Sequence, residues 1–378
     1  MSDMTRTVAL ITSGAYTLPN FRGSLISLLV KQGVRVIALA PDHTDAIRAR
    51  LRAMGAEPMD FSLSRTGLNP WRDGMDLVRL VRQLQALKPD ATLCYFAKPV
   101  IYGGLAAAIA GVPRRIGMIE GLGYLFGDER RGLRHRLIRG ITERLYRAAS
   151  VRAHSTLFLN TEDRDLFVTR GIVPTNKAFN IGAIGVQLEK FSVSIADTPP
   201  VSFLLMARLL REKGIEQFVA AARLLRPSFP NTRFLVLGGL DDNPTSVSEA
   251  EMTGWVDEGL IEWHDHIEDI RPVLAESSVF VLPSYYREGV PRSIQEAMAS
   301  GKPIITTDHV GCRDTVDPGV NGFLVPIRNS NALAEAMRRF LLQPGLIRKM
   351  GMASRKIAEE RFDARRIDEL LANMLLKL

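Results

Sequence analysis

The chain has 378 residues, 46% apolar and 24% charged, with a formal net charge of +8. That length suits two domains of roughly 100–200 residues, and the composition excludes disordered, collagenous and coiled-coil proteins. Residues 1–190 hold 27 Lys and Arg against 16 Asp and Glu, a surplus of +11, whereas the remainder holds 22 against 25. A basic half of that kind suits nucleic acid, acidic lipid or phosphate as partner, or reflects only an arginine-rich composition.

In chain order, the N-terminus runs into the apolar Val8–Ile11 without the basic segment, apolar stretch and small-residue site of a secretory leader. Val8–Thr12 is predicted as a strand, Gly23–Gln32 as a helix and Val34–Ala40 as a strand. Leu77–Leu87 reads as a helix, Ala91–Phe96 as a buried strand and Tyr102–Ala110 as a helix of small residues. Arg115–Ile119 and Thr156–Asn160 are further strands. Phe191–Pro200, polar and ending in paired prolines, is predicted as the linker. A second alternation follows, with strands Val201–Met206, Thr232–Leu237, Val279–Leu282 and Pro303–Thr307. Its helices are Gly214–Leu225, Ile270–Ala275, Pro291–Ala299 and Asn331–Leu342. Arg365–Leu378 closes the chain as an amphipathic helix. Short apolar strands alternating with helices predict an α/β fold of two Rossmann-like, doubly wound domains facing each other across a cleft. The expected division is 1–190, 191–362 and a terminal helix, 363–378, packing back toward the first domain.

No window offers the roughly 18 uninterrupted apolar residues of a spanning helix. Cys94 and Cys312 lie in different halves, which argues against a disulfide scaffold or zinc cluster. The expected location is the cytoplasm, with peripheral attachment to a membrane left open. Neither Ser13-Gly14-Ala-Tyr-Thr-Leu nor Gly238-Gly239-Leu-Asp-Asp is a G-x-G-x-x-G, and no P-loop occurs, so hydride transfer and P-loop hydrolysis are not expected.

The chemistry concentrates in Tyr285-Tyr-Arg-Glu288-Gly-Val-Pro-Arg-Ser-Ile-Gln-Glu296-Ala-Met-Ala-Ser-Gly-Lys302-Pro. Glu288 stands at a strand–helix junction beside Gly289, Val290, Pro291 and Arg292, where backbone amides and the helix dipole suit an anion. Glu296 lies on the following helix. The two carboxylates could grip two sets of sugar hydroxyls, or serve as a cap and a solvated helix face. Trp263-His-Asp-His266 has two histidines but no third ligand in sequence, so no metal is expected.

This segment resembles the E-x7-E signature of retaining glycosyltransferases of family 4, which have the GT-B fold. The match extends through Glu288-Gly-Val-Pro, Glu296-Ala-Met-Ala-Ser-Gly-Lys-Pro-Ile-Ile, Gly311-Cys-Arg-Asp and Val320-Asn-Gly-Phe-Leu-Val-Pro. The resemblance implies that Glu296 holds the nucleotide ribose and Glu288 the donor-sugar hydroxyls. It puts the amides of Gly289–Arg292 near sugar and diphosphate, and His266 and Ile267 beside the base. Ala207-Arg208-Leu-Leu-Arg-Glu-Lys213-Gly214 is similar to the family's diphosphate motif, giving Arg208 and Lys213 the leaving-group charge and leaving Arg211 solvated. Asn180–Phe191 follows the interdomain pattern, with Gln187 where Asp is common.

In the basic half, Thr12–Gly23 resembles the acceptor loop of bacterial enzymes that extend polyprenyl-diphosphate-linked sugars. Gly14, Asn20 and Arg22 are its candidate residues; Arg22 meets a phosphate or is an ordinary helix-start charge. Glu120-Gly121-Leu-Gly-Tyr-Leu-Phe126 resembles another loop of that subgroup, with Glu120 where relatives carry histidine; His154 is read as structural. Arg130–Arg147 is a basic amphipathic helix, with Leu133, Leu137, Ile141 and Leu145 every four residues. It could lie on acidic lipid or dock on the domain core with its arginines solvated.

The resemblance thus implies transfer of a hexosyl or N-acetylhexosaminyl group, with retention, from a nucleotide (UDP) donor to a polyprenyl-diphosphate-linked glycan in bacterial surface glycan assembly. It implies no cofactor or metal, and the inner face of the plasma membrane as the site of action. The alternatives are a nucleotide-sugar epimerase of the same architecture or a soluble acceptor. No nucleic-acid recognition motif accompanies the basic half.

Overall fold

The short apolar runs become parallel β-strands in the computed structural model, which describes residues 6–63, 70–127, 132–241, 243 and 245–377. Two units divide the chain: Met1–Ile184 with Ala364–Leu378, and Gly185–Asp363.

In the first unit the strands are β1 (Thr7–Ile11), β2 (Arg35–Ala40), β3 (Ala56–Asp60), β4 (Ala91–Tyr95), β5 (Arg114–Ile119), β6 (Ser155–Phe158) and β7 (Ala178–Asn180). They form one parallel sheet in the order β3-β2-β1-β4-β5-β6-β7. The second unit contributes β8 (Ser202–Met206), β9 (Arg233–Leu237), β10 (Glu262–His264), β11 (Val279–Leu282), β12 (Ile304–Thr307) and β13 (Gly322–Val325), also all parallel and ordered β10-β9-β8-β11-β12-β13. Both orders reverse beside their first strand, between β1 and β4 and between β8 and β11. Doubly wound sheets bind ligands at such switch points, beyond the carboxyl ends of the strands.

The central strands are buried on both faces, which is why they read as unbroken apolar runs; β1, β4, β8 and β11 are buried along their whole length. Edge strands have no such signature. Ala56-Glu-Pro-Met-Asp60 and Glu262-Trp-His264 are partly exposed and mixed in polarity, so their pairing arises from position in the sheet. The predicted helix Tyr102–Ala110 is a π-helical turn, Pro99–Gly103, running into an α-helix, Gly104–Ile109. Each unit has its own core. Phe126, Tyr146, Phe158 and Phe167 cluster in the first, and Phe203, Phe218 and Phe234 in the second.

The terminal helix Ala364–Leu376 belongs to the first unit. It buries Ile367, Leu371 and Leu375, packs on the helix Gly23–Lys31, and its Met374 carbonyl accepts Arg114 Nε at 2.8 Å. The stretch predicted as a linker, Phe191–Pro200, lies inside the second unit together with residues 185–190. Phe191 is buried, and Ser194 Oγ donates to the Ala275 carbonyl at 2.9 Å. Ser194 and Asp197 are bonded within the unit, so composition alone could not tell a wrapped segment from a linker.

Lys302 secures that segment. Its ammonium is buried and donates to the carbonyls of Ser194, Ala275 (3.2 Å) and Ser277 (2.8 Å), tying the wrap to the end of the helix Arg271–Glu276. Desolvation lowers its pKa to about 8. Lys302→Met would strand buried carbonyls and should cost about 3 kcal/mol. In thermal denaturation of the full chain that is a fall in Tm of roughly 6–12 °C; an unchanged Tm would contradict this account.

Candidate active site

At the β8/β11 switch point two loops leave adjacent strands and lie against each other. Gly214 has φ +82°, and a Cβ there would stand 2.2 Å from the Pro283 carbonyl oxygen, so only glycine allows the approach. The Glu212 carbonyl accepts the N–H groups of Tyr285 (2.8 Å) and Tyr286 (3.1 Å). From the far side, Thr306 Oγ1 donates to the Leu282 carbonyl at 2.7 Å and Thr307 Oγ1 to the Ser284 carbonyl. Gly311, at φ +76°, admits the Gly289 carbonyl at a distance no Cβ would tolerate.

This stitching brings Lys213 and Glu288 together. Lys213 Nζ forms an ion pair with Glu288 Oε1, which also accepts Ser284 Oγ at 2.9 Å. The ammonium also sits 5.1 Å from the Tyr286 ring centroid, within cation–π range. Both charged side chains are nearly buried. Arg208 is more open, 49% exposed, and reaches Asp241 Oδ2 at 3.2 Å. Arg211, 36% exposed, is paired as well as solvated: its guanidinium bonds Glu216 and, at 2.7 and 2.9 Å, both oxygens of Glu251.

Glu288 is followed by Gly289 and Val290, and Pro291 is the N-cap of the helix Arg292–Ala299. Four residues apart on that helix, Arg292 Nε bonds Glu296 Oε1 at 2.8 Å. Burial pushes the Glu296 carboxyl above its ordinary pKa while Arg292 opposes the rise. Both glutamates therefore sit on the carboxyl side of β11, each holding a cation. His266 and Ile267 follow β10; His266 is exposed and its backbone N–H donates to Asp265 Oδ1 at 2.6 Å. This loop borders Gly239, whose added Cβ would meet Asp265 Oδ1 at 2.9 Å and the His266 side chain at 3.7 Å.

In the first unit, Arg22 takes a role neither sequence alternative anticipated. It is 1% exposed and ion-paired with Glu120, with its guanidinium 4.7 Å from the Tyr95 ring centroid and 3.9 Å from Met118 Sδ. Thr17 Oγ1 meets Tyr95 Oη at 3.1 Å and donates to the Gly14 carbonyl at 2.7 Å. Asn20 donates to the Tyr16 carbonyl and accepts from Arg50. Gly121 continues from Glu120 at φ +117°. The loops carrying Gly14, Asn20, Arg22, Glu120 and Gly121 are thus tied together around a buried ion pair.

Sequence reasoning missed Ser284, Tyr286, Thr306 and Thr307. For Ser284, Thr306 and Thr307 the available signal was a hydroxyl at or just past the end of a strand; Tyr286, which acts through its ring and backbone N–H, gave none. In the basic helix, Arg130 and Arg131 lie outside the described residues. The rest forms the helix Leu133–Arg152, which docks through Thr142, Tyr146, Ala149 and Ser150. Leu133 and Leu137 remain 83% and 66% exposed. Two of its arginines have partners in the fold: half-buried Arg139 stacks on Phe126 and pairs with Glu143, and Arg147, though exposed, caps the Arg170 and Gly171 carbonyls.

Arg22→Met would leave Glu120 buried without its partner, at a cost of about 3–5 kcal/mol. Replacing both, as Arg22→Met with Glu120→Leu, should recover much of that loss. Chemical denaturation of the two variants reads the difference, and equal losses would argue that the pair contributes no coupling.

Residues 200–343 match the family model described as Glycosyl transferases group 1. Over 349 residues, 88% of this chain and 89% of the relative, the sequence is 28% identical to the N,N'-diacetylbacillosaminyl-diphospho-undecaprenol alpha-1,3-N-acetylgalactosaminyltransferase of Campylobacter jejuni. It is 25% identical, over 71% of this chain and 70% of the relative, to the UDP-Gal:alpha-D-GlcNAc-diphosphoundecaprenol alpha-1,3-galactosyltransferase of Escherichia coli. Among solved structures, the sucrose-phosphate synthase of Thermosynechococcus elongatus superposes with a TM-score of 0.78 over 98% of both chains at 20% identity. Residues 200–343 are a group 1 glycosyl transferase domain, and the chain that carries it is a glycosyltransferase of the GT-B fold.

Proposed function

We propose that this glycosyltransferase moves a hexosyl or N-acetylhexosaminyl residue from a UDP donor to a polyprenyl-diphosphate-linked glycan, in bacterial polysaccharide or surface-glycan assembly. The acceptor class rests on the Campylobacter and Escherichia coli relatives, both named for diphospho-undecaprenol acceptors. The donor rests on the second of these, named for UDP-Gal. In this reading the anomeric configuration is retained, as in the family 4 enzymes the E-x7-E segment resembles.

The observation that carries the reading is the Lys213–Glu288 pair at the β8/β11 switch point. As the bond from the anomeric carbon to the diphosphate breaks, negative charge grows on the leaving group. An ammonium already fixed by Glu288 and the Tyr286 ring stabilises that charge without reorganising, which is where electrostatic catalysis is most effective. Arg208, on the same loop, adds a second cation. Glu288 bonds donor-sugar hydroxyls, Glu296 the ribose hydroxyls, and the loop of His266 and Ile267 borders the base. With the diphosphate neutralised by side chains and the backbone around Gly289–Arg292, the reaction takes no metal.

The exposed apolar stripe of the first unit supports a second element of this reading: attachment to an anionic membrane surface, at the inner face of the plasma membrane. Leu133, Leu137 and Ile141 are exposed on the helix Leu133–Arg152, and Trp71 (87%), Met75 and Val78 on the helix Pro70–Leu87. Both helices pack on the segment Pro99–Ile109. Arg134, Arg136 and Arg144 accompany the first stripe, and Arg72, Arg79 and Arg82 the second. Apolar stripes flanked by arginine suit the boundary of acyl chains and acidic headgroups. No helix among the described residues is long and apolar enough to cross a membrane.

UDP release from a panel of UDP-sugars, with and without a polyprenyl-diphosphate-sugar acceptor and in excess EDTA, tests the catalytic reading. Acceptor-dependent release that survives EDTA is expected, and Lys213→Ala and Glu288→Gln should each lower turnover about 10²–10³-fold with the fold intact. Near-wild-type turnover in either variant would remove that residue from the mechanism. For the membrane reading, the chain should co-sediment with anionic liposomes at low salt, and Leu133→Glu with Leu137→Glu should release it; failure to bind at low salt would overturn it.

A further inference from the structure

The end of the first sheet opposite the loops of Gly14 and Glu120 holds a second concentration of chemistry. At the amino ends of β5, β6 and β7 there is a surface pocket of about 430 Å³, lined by Arg115, Arg152, His154 and Lys177 with Ile109 and Val151. Arg115 is the second residue of β5, while His154 and Lys177 directly precede β6 and β7. The topology thus brings together residues spread over more than sixty positions of the chain.

Among the described residues, the hydrogen-bond partners of the three cations are backbone carbonyls. Arg115 donates from Nε to the Arg152 carbonyl at 2.9 Å and from Nη1 to that of Val112. Arg152 Nη1 reaches the Ala148 carbonyl at 2.9 Å. Lys177 Nζ donates to the carbonyls of Val151 and Ala153, both at 2.7 Å. These carbonyls belong to the ends of the helices Gly104–Ile109 and Leu133–Arg152 or the residues just beyond, so helix capping is the first explanation to weigh. Each helix end carries about half a negative charge, roughly one in total, against three full positive charges. Capping explains where these side chains sit; it leaves a surplus of about two positive charges.

Capping also fixes the side chains while using only part of their donor capacity. Arginine has five N–H donors and lysine three, and the contacts above engage two on Arg115, one on Arg152 and two on Lys177. His154 adds another donor. Its Nδ1 accepts the Arg115 backbone N–H at 3.2 Å, so the neutral ring carries its proton on Nε2. Burial first, then the charges of Arg115, Arg114 and Lys177, hold that ring below its ordinary pKa. Ile109 and Val151, 59% and 51% exposed, give the same pocket an apolar rim. Preplaced donors, surplus positive charge and an apolar wall together describe a site for a phosphate carried on an organic group.

We propose that this pocket binds the phosphate group of an organic phosphate ester, with the guanidinium groups of Arg115 and Arg152, Lys177 Nζ and His154 Nε2 as donors and the ester's apolar part against Ile109 and Val151. The proposal stands independently of the donor, acceptor and membrane readings above. Two sources share this chemistry, a soluble phosphate ester and a phospholipid headgroup.

The test uses the full chain, labelled at the histidine imidazoles. There are six histidines, and His154→Gln identifies the signal of interest. Inorganic phosphate and monomeric dihexanoyl phosphatidic acid are titrated separately. Both should shift the His154 signal saturably, and Arg152→Gln should weaken binding about tenfold, as for the loss of one charge-assisted hydrogen bond. Arg152→Gln with Lys177→Gln should abolish the shift, with circular dichroism confirming that each variant is folded. A lipid source predicts that phosphatidic acid saturates at much lower concentration than phosphate and that Ile109→Asn removes the advantage. A soluble source predicts only a small advantage, no more than about tenfold, also removed by Ile109→Asn; equal saturation would overturn the apolar contact. No saturable shift at His154 into the millimolar range, or the same shift in folded Arg152→Gln, would overturn the proposal.

Discussion

The candidate site of the second unit depends on how closely two backbone loops approach at the β8/β11 switch point. Parallel strand order places the ends of β8 and β11 side by side, but adjacency alone would not seat an ammonium against a carboxylate. That requires Gly214 to accept the Pro283 carbonyl where any side chain would collide, and the Glu212 carbonyl to take two N–H groups from the opposite loop. With the backbones locked, Lys213 and Glu288 meet as short-range partners in a largely buried place. Electrostatic interaction there is stronger than at the surface, and the desolvation it costs is offset by Ser284 and the Tyr286 ring. Under the proposed function, preorganised charge of this kind is what a departing diphosphate needs.

The two units treat charge differently. In the second, net acidic half, a few cations are each held by a named partner: Lys213 by Glu288, Arg208 by Asp241, Arg292 by Glu296. In the first, the surplus of +11 carried by residues 1–190 is divided among several tasks. Arg22 is buried with Glu120, Arg147 caps carbonyls, and Arg139 stacks on Phe126. What remains gathers beside exposed leucines on one helix and in a pocket at the amino ends of β5 to β7. Net charge by half is therefore a poor guide to function until each arginine's partner is known.

Several elements were legible in sequence for a clear reason. Strands buried on both faces must be apolar throughout, so β1, β4, β8 and β11 stand out. The Glu288-to-Lys302 segment also identifies itself, because a loop, a helix start and a close-packed turn follow in quick succession and each restricts residue type. Edge strands β3, β7 and β10 were illegible, since one side faces solvent and half their residues are free to be polar. Phe191–Pro200 looked like a linker because its polarity suits water as well as it suits the carbonyl and ammonium groups that meet it here.

By itself the sequence determined the α/β class, the alternation that builds two doubly wound sheets, and the motif in which Glu288, Glu296, Arg208 and Lys213 stand. All of these are written in local patterns of polarity and residue type, which survive without knowledge of neighbours. Only the tertiary structure decided that Lys213 pairs with Glu288, that Arg22 is buried on Glu120, that Lys302 ties a wrapped segment to the second unit, and that Arg115, Arg152, His154 and Lys177 share one pocket. Each of those is a contact between residues far apart in the chain, set by strand order and close backbone packing, and a linear pattern carries no record of either.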